Sequence, residues 1–349
     1  MRVSRPGRLV ALCFLLAGAL PGAIGAAAAQ ALNPGKGSTL QVVDELKYDR
    51  KIKQTLPPNA PGRTAPAPDP NGPCVQAAKA FSPLQKAHDE EPDEDKRAAM
   101  RDAAFLAAAM AYRQACFAAW SAAEPALAAA GVDALVGVLT FNGSPFCMGF
   151  KVEPQAILTA RHCFFDKEKN VPLRSADNLG AVSFLAGANS AMSYKALTLR
   201  SYAPALTAIA DASVHIPHAE DRIVVQLDRP FADGRTLTLD TPADEPLHVA
   251  GIFTYDGRPA LDDLLWAKSS RVCKAAAPRN GCFQHGCQTS PGFSGAPLFG
   301  LRNGRPVIVG MHISAASDDG ACRLASTTDY EGNLAIPVAP FSSAHYPNP

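Results

Sequence analysis

Hydrophobic and polar positions divide the 349-residue chain into four textures. The first is an apolar run from Leu9 to Leu20, preceded by Arg2, Arg5 and Arg8 and followed by small residues through Ala26–Ala29. A basic start, a short apolar core and a small-residue end have the form of a cleavable export signal. Pro21 and the small-residue tail argue against a retained anchor, so residues 1–29 are read as a signal peptide. No later segment is long and apolar enough to span a bilayer. Residues 30–73 show no regular period and hold seven prolines between Pro57 and Pro73, the composition of an extended linker or pro-segment.

Residues 74–130 are rich in alanine, lack glycine and carry a helical period. Asp93 is placed to cap a helix whose first turn holds Glu94 and Asp95, the charge sign that the helix dipole favours there. Phe105, Ala109, Tyr112, Cys116 and Trp120 recur on one face, an apolar stripe that must bury against a partner. The expected partner is the shorter helical stretch after Cys74, with a Cys74–Cys116 disulfide as staple; either cysteine pairing elsewhere stays open. This segment carries no chemistry of its own. It reads as an α-helical accessory domain, pro-domain or interaction module.

From Gly131 the period drops to two. Short β-like runs appear at Leu135–Phe141, Gln155–Thr159, Ala181–Leu185, Ile223–Leu227, Leu247–Phe253, Val307–Met311 and Leu334–Val338. Turn signals fall at Asn142-Gly143-Ser144, Asp256-Gly257, Asn303-Gly304 and Glu331-Gly332. Many short strands so spaced predict an all-β barrel or sandwich over residues 131–349.

Charge narrows the partners. The net charge is +1, with no basic block and no acidic tail, which excludes nucleic acid and acidic membrane surfaces as partners. Nine cysteines become eight once Cys13 leaves with the signal. An even count in an exported chain predicts disulfides. No Cys-x-x-Cys pair is present, so no metal site is expected.

The candidate chemistry centres on Gly292-Phe293-Ser294-Gly295. Glycines free the backbone to turn the N–H groups of Gly292 and Ser294 toward one point, where they can hold a developing oxyanion beside the serine hydroxyl. A serine nucleophile needs a base, and the base needs an orienting carboxylate. The base candidate is His162, in Thr159-Ala160-Arg161-His162-Cys163, behind an apolar strand and clamped by a disulfide expected between Cys147 and Cys163. The carboxylate candidate is Asp221, immediately before the apolar run Ile223–Leu227; Asp211 is its rival.

The order His, Asp, Ser, with Thr-Ala-Arg-His-Cys and Gly-Phe-Ser-Gly-Ala-Pro, resembles the chymotrypsin/trypsin-like serine peptidases over roughly residues 132–341. The resemblance implies a mainly β fold of two six-stranded antiparallel β-barrels, here preceded by a small α-helical segment. It implies a secreted or periplasmic serine endopeptidase with His162, Asp221 and Ser294 as its triad, acting on protein or peptide through an acyl-enzyme without a cofactor. An inactive trypsin-like fold that binds protein is the alternative. Phe293 stands where the animal digestive enzymes have an aspartate that pairs with a newly cut N-terminus. That switch is therefore not expected, and other packing must order the oxyanion loop. Gln288 replaces the acid of trypsin-like pockets. Thr289 and His312 resemble the carboxylate-binding pair of bacterial glutamyl endopeptidases, which implies Glu or Asp at the substrate position before the scissile bond (P1), with a small residue as the alternative. Ile313, Ser314 and Ala315 correspond to the strand edge that pairs with substrate. Cys273, Cys282, Cys287 and Cys322 allow three pairings, of which Cys287–Cys322 and Cys273–Cys287 are favoured.

Overall fold

The computed structural model describes residues 72–119, 125–166, 169–187, 192–209, 218–243, 245–253, 265–267, 273, 275, 278, 281–315 and 333–348. The expected signal peptide, most of the proline-rich stretch, Trp120, Asp211, Cys322 and the turns at Asp256-Gly257 and Glu331-Gly332 lie outside these residues.

Two capped helices and one Pro-initiated helix open the described chain. Pro73–Glu90 starts with proline in its first turn, where a missing N–H costs nothing. Glu94–Ala99 is capped by Asp93, whose carboxylate accepts the N–H groups of Asp95 and Lys96 at 3.0 and 3.1 Å. Ala103–Cys116 is capped by Asp102, which accepts the Phe105 N–H at 2.8 Å. The apolar stripe ends at Cys116, because the chain turns extended at Phe117–Ala119 (β1). The stripe packs on the first helix. Phe81 meets Phe105 edge-on at 5.4 Å and stacks on Tyr112 at 5.5 Å. Cys74 and Cys116 form a disulfide with their Cα atoms 4.8 Å apart.

Six strands then close a barrel in the order β2-β3-β4-β7-β6-β5. They are β2 (Val136–Phe141), β3 (Ser144–Glu153), β4 (Ala156–Thr159), β5 (Val182–Ala186), β6 (Met192–Ser201) and β7 (Ile223–Leu227). Asn142 and Gly143, both with positive φ, turn β2 into β3, as a tight hairpin requires. The second half of the fold is a sheet of eight strands among the described residues. It comprises β1, β8 (Thr238–Leu239), β9 (His248–Gly251), β10 (Leu265–Ala267), β11 (Phe283–His285), β12 (Pro297–Arg302), β13 (Arg305–Ala315) and β14 (Asn333–Pro337). Its order is β1-β10-β9-β12-β13-β14-β11, with β8 lying parallel on β13. The mainly β, two-bodied architecture is the chymotrypsin-like one. The first body is a closed six-stranded barrel; the described strands of the second form this sheet, and its β1 comes from the segment 74–130.

The connection between the two bodies is held by a buried lysine. The Lys151 ammonium, on β3, donates to the carbonyls of Asp233 and, at 2.6 Å, Arg235. Burial pulls the Lys151 pKa down. Arg235 in turn donates to the Ala130 carbonyl at 2.9 Å.

The Cys74–Cys116 bridge closes a span of 42 residues. Replacing both cysteines by serine is expected to lower unfolding stability by about 2–4 kcal/mol, chiefly by freeing the unfolded chain. A denaturant titration of the double variant against wild type measures the loss.

Candidate active site

Strand register brings the base and its carboxylate together. β4 and β7 run antiparallel, with Thr159 opposite Ile223. The chain leaving β4 therefore lies beside the chain entering β7. His162 sits in the 3₁₀ turn Arg161–Cys163, and Asp221 ends the turn His218–Glu220, its N–H donating to the His218 carbonyl at 3.0 Å. Asp221 Oδ1 accepts the His162 backbone N–H at 2.8 Å, and Oδ2 accepts Nδ1–H of the ring at 2.7 Å. A buried carboxylate only accepts, so Nδ1 carries the hydrogen and Nε2 of the neutral ring is left as an acceptor. The turn is fastened by the Cys147–Cys163 disulfide and by Ser175, whose hydroxyl donates to the Cys163 carbonyl at 2.7 Å. Arg161 is buried beside it, 4.3 Å over the Phe165 ring and donating to Asn170. Burial lowers the pKa of its guanidinium, while Asp221 and Glu220 raise it.

Ser294 lies in a turn that two glycines permit, Gly292 at φ +99° and Gly295 at φ +84°. Phe293 N–H donates to the Ser290 carbonyl at 3.0 Å, and Ala296 N–H to the Phe293 carbonyl at 2.8 Å. The turn is pinned to both halves of the fold. The Ser294 carbonyl accepts Met148 N–H of β3 at 2.7 Å, and Gly295 N–H donates to the His312 carbonyl of β13 at 2.8 Å. A Cβ on Gly295 would run into the Met148 carbonyl and Thr159 Oγ1, so the approach itself demands glycine. Ser294 Oγ stands 2.7 Å from His162 Nε2. With Nε2 an acceptor, the serine hydroxyl is the donor in that bond.

Residues 147–311 match the family described as the trypsin-like peptidase domain. The chain carries a trypsin-like peptidase domain. No curated protein matches the chain. Among solved structures it is similar to a Glu endopeptidase determined in complex with MPD, at 17% identity over 64% of this chain and 90% of that one, with a TM-score of 0.44. It is also similar to the secreted serine protease VesC from Vibrio cholerae, at 16% identity over 60% of this chain and 45% of that one, with a TM-score of 0.40.

In the peptidase domain, Gln288 and Thr289 lie half-buried just ahead of the Ser294 turn, and His312 is buried on β13. The β12–β13 ladder ends at Pro297 opposite Met311, so Ile313, Ser314 and Ala315 run on past it. There β14 pairs with Ser314 and Ala315 through Leu334 and Asn333, with a bulge at Ile313. Cys273 pairs with Cys287, their Cα atoms 4.5 Å apart, and Cys282 is disulfide-bonded as well. Two clusters have the composition of metal sites, Cys147/His162/Cys163 and Cys273/His285/Cys287. Both spend their thiolates in disulfides.

Three groups have contacts around the site that the sequence does not announce, one on β11 and two from the segment 74–130. His285, on β11, sits with Nε2 3.1 Å from His312 Nδ1. Tyr112 donates its hydroxyl to the Thr289 carbonyl at 2.9 Å. Phe117 packs on Phe293, ring centroids 5.5 Å apart. Tyr112 had a signal as part of the apolar stripe, and Phe117 as an aromatic residue directly after a cysteine at a helix end. Among the described residues no helix is long and apolar enough to cross a membrane.

The burial of His285 predicts a stability that falls with acid. Full burial pushes its pKa down to about 3. The unfolded chain then binds a proton that the folded chain refuses, so stability is lost as pH falls below the ordinary histidine range. Wild type is expected to lose about 2 kcal/mol from this group between pH 7.5 and pH 5, and His285→Phe to escape that part of the loss. Denaturation midpoints of both proteins at the two pH values test this; equal acid sensitivity would refute it.

Proposed function

We propose that the protein is an exported serine endopeptidase, secreted or periplasmic, that cleaves protein or peptide through an acyl-enzyme. One observation carries the reading: both ring nitrogens of His162 are engaged at 2.7 Å, Nδ1 by Asp221 and Nε2 by Ser294 Oγ. Ser294 Oγ attacks the peptide carbonyl while its proton passes to His162 Nε2. Asp221 holds the ring and stabilises the imidazolium. The N–H groups of Gly292 and Ser294 receive the carbonyl oxygen as its charge develops, at about 2.7–4 kcal/mol per donor. The imidazolium then protonates the leaving amine. The acyl-enzyme is released by water, with His162 acting as base a second time. No cofactor enters these steps.

For P1 we propose a preference for Glu or Asp. His285 is kept neutral by burial and faces His312 Nδ1. If it donates there from Nε2, His312 is left with a hydrogen on its own Nε2, and Thr289 adds a hydroxyl. Two such donors suit a carboxylate. A small P1 residue is the other outcome of the cleavage profile.

Ser294→Ala should cut peptide hydrolysis by about 10⁶ and abolish labelling by a serine-directed phosphonate, with the fold retained by circular dichroism. Hydrolysis that survives the change would refute the assignment, and folded wild type that never labels would make the protein a binding module. Thr289→Val should lower kcat/KM for a Glu-P1 peptide about tenfold relative to an Ala-P1 peptide. An unchanged ratio would end the carboxylate-pocket reading.

A further inference from the structure

The loop that carries Ser294 is supported from behind by the helices at the start of the described chain. Tyr112, in the last turns of Ala103–Cys116, is 6% exposed, and its hydroxyl donates to the Thr289 carbonyl at 2.9 Å. The same oxygen lies 3.5 Å from Gln288 Oε1. Five residues on, Phe117 presses against Phe293, the neighbour of Ser294, which is fully buried. Phe293 also fills the space that Gly251 leaves by having no side chain, since a Cβ there would come within 2.5 Å of the ring. Phe253, two residues after that glycine, contacts Phe81, Tyr112 and Phe117. Backbone pairing runs the same way: β1 pairs with β10 from Phe117 opposite Ala267, and β10 pairs with β9 from Leu265 opposite Gly251. Taking the helices away would strip an edge strand from the sheet, uncover Phe253 and Phe293, and leave the Thr289 carbonyl without its hydroxyl partner. A segment built to be discarded would not be placed where its loss undoes the wall of the pocket.

We propose that the helices Pro73–Cys116 with β1 are a permanent working part of the peptidase, and that Tyr112 is a positioning residue that sets the primary specificity pocket through the Thr289 carbonyl. This rests on the reading of Ser294 as nucleophile and of Gln288 and Thr289 as pocket wall. The Tyr112 bond fixes the peptide plane that follows Thr289. The Thr289 side chain and the approach to Ser290 depend on that plane. Phe117 acts in parallel, holding Phe293 in its seat so that the turn at Ser294 keeps its shape.

Tyr112→Phe in the full-length protein keeps the ring and removes only the bond. The quantity to read is P1 selectivity, the ratio of kcat/KM for the best P1 residue to that for the next in a matched peptide series. Phosphonate labelling rate and thermal midpoint are read in parallel. The ratio is expected to fall about tenfold, mainly through KM, with labelling within about twofold of wild type. Phe105→Leu loosens the same pair of helices away from the pocket and should leave the ratio alone. An unchanged ratio in Tyr112→Phe overturns the proposal. So does an equal fall in Phe105→Leu, which would make the contact merely structural. So does active protein whose sequence, read after reduction, begins beyond Cys116. Wild type that neither labels nor cleaves would sink the nucleophile reading itself, and this proposal with it.

Discussion

One carboxylate takes two hydrogens from one residue, and the geometry around it follows from that. Asp221 accepts both the backbone N–H and the ring Nδ1–H of His162. A single bond would let the imidazole swing; two fix its plane and therefore the direction of Nε2. A carboxylate only 6% exposed would be costly without such donors. The β4–β7 register supplies them, since Thr159 opposite Ile223 leaves His162 and Asp221 facing each other a few residues outside the barrel. A slip of one residue in that pairing would turn the flanking side chains to the other face. The position of the histidine is thus a property of the barrel's hydrogen-bond ladder before it is a property of the site.

The serine arrives from the other body, so its distance to the imidazole depends on how the two bodies are joined. That join passes directly through the nucleophile's own backbone. Met148 of the barrel donates to the Ser294 carbonyl, and the next residue donates to β13 of the second sheet. Met148 also accepts the Thr159 hydroxyl at 2.6 Å, at the end of the strand that leads into His162. A short loop of bonds therefore runs from the base's strand to β3, to the serine, and back through Oγ to the base. Gly295 is the tightest point on it, with no room for even one carbon.

Much of this arrangement was legible in the sequence because it rests on local signals. The apolar run Ile223–Leu227 is β7 residue for residue, and both Asn-Gly turns among the described residues sit between paired strands. Asp93 caps its helix as its neighbours imply. The signals fail where structure is made by distant partners. β6 has exposed Met192, Ser193, Lys195, Leu197 and Thr198 and reads as polar chain; its place comes from β5 and β7. β1 and β10 are three residues each and exist through pairing, β1 with β10 and β10 also with β9. The Tyr112–Thr289 bond spans 177 residues, and nothing near either end announces it. The stripe through Tyr112 was recognisable as something to bury, but the sequence does not say that its far end meets the Ser294 loop. His285 is silent for the same reason: a lone histidine on a short strand has a role only through what lies beside it.

Phe293 shows how the same loop can be ordered by a different physical force. In the animal digestive enzymes of the family that this sequence resembles, an aspartate there waits for an amine created by cleavage, and charge pairing orders the oxyanion loop afterwards. A phenylalanine needs no such partner. Burying a ring of this size is worth about 1.5–3 kcal/mol, and that free energy is gained in folding itself. What completes its seat is Gly251 on one side and Phe117 on the other. Phe117 immediately follows the cysteine that closes the helical pair. Charge pairing can be withheld until a protease acts, because one partner does not exist beforehand. Apolar packing within one chain cannot be withheld in that way. On the proposed reading, the loop takes its working shape when the helices dock and the Cys74–Cys116 bridge closes, and control over activity would act on access to Ser294 rather than on the order of the loop.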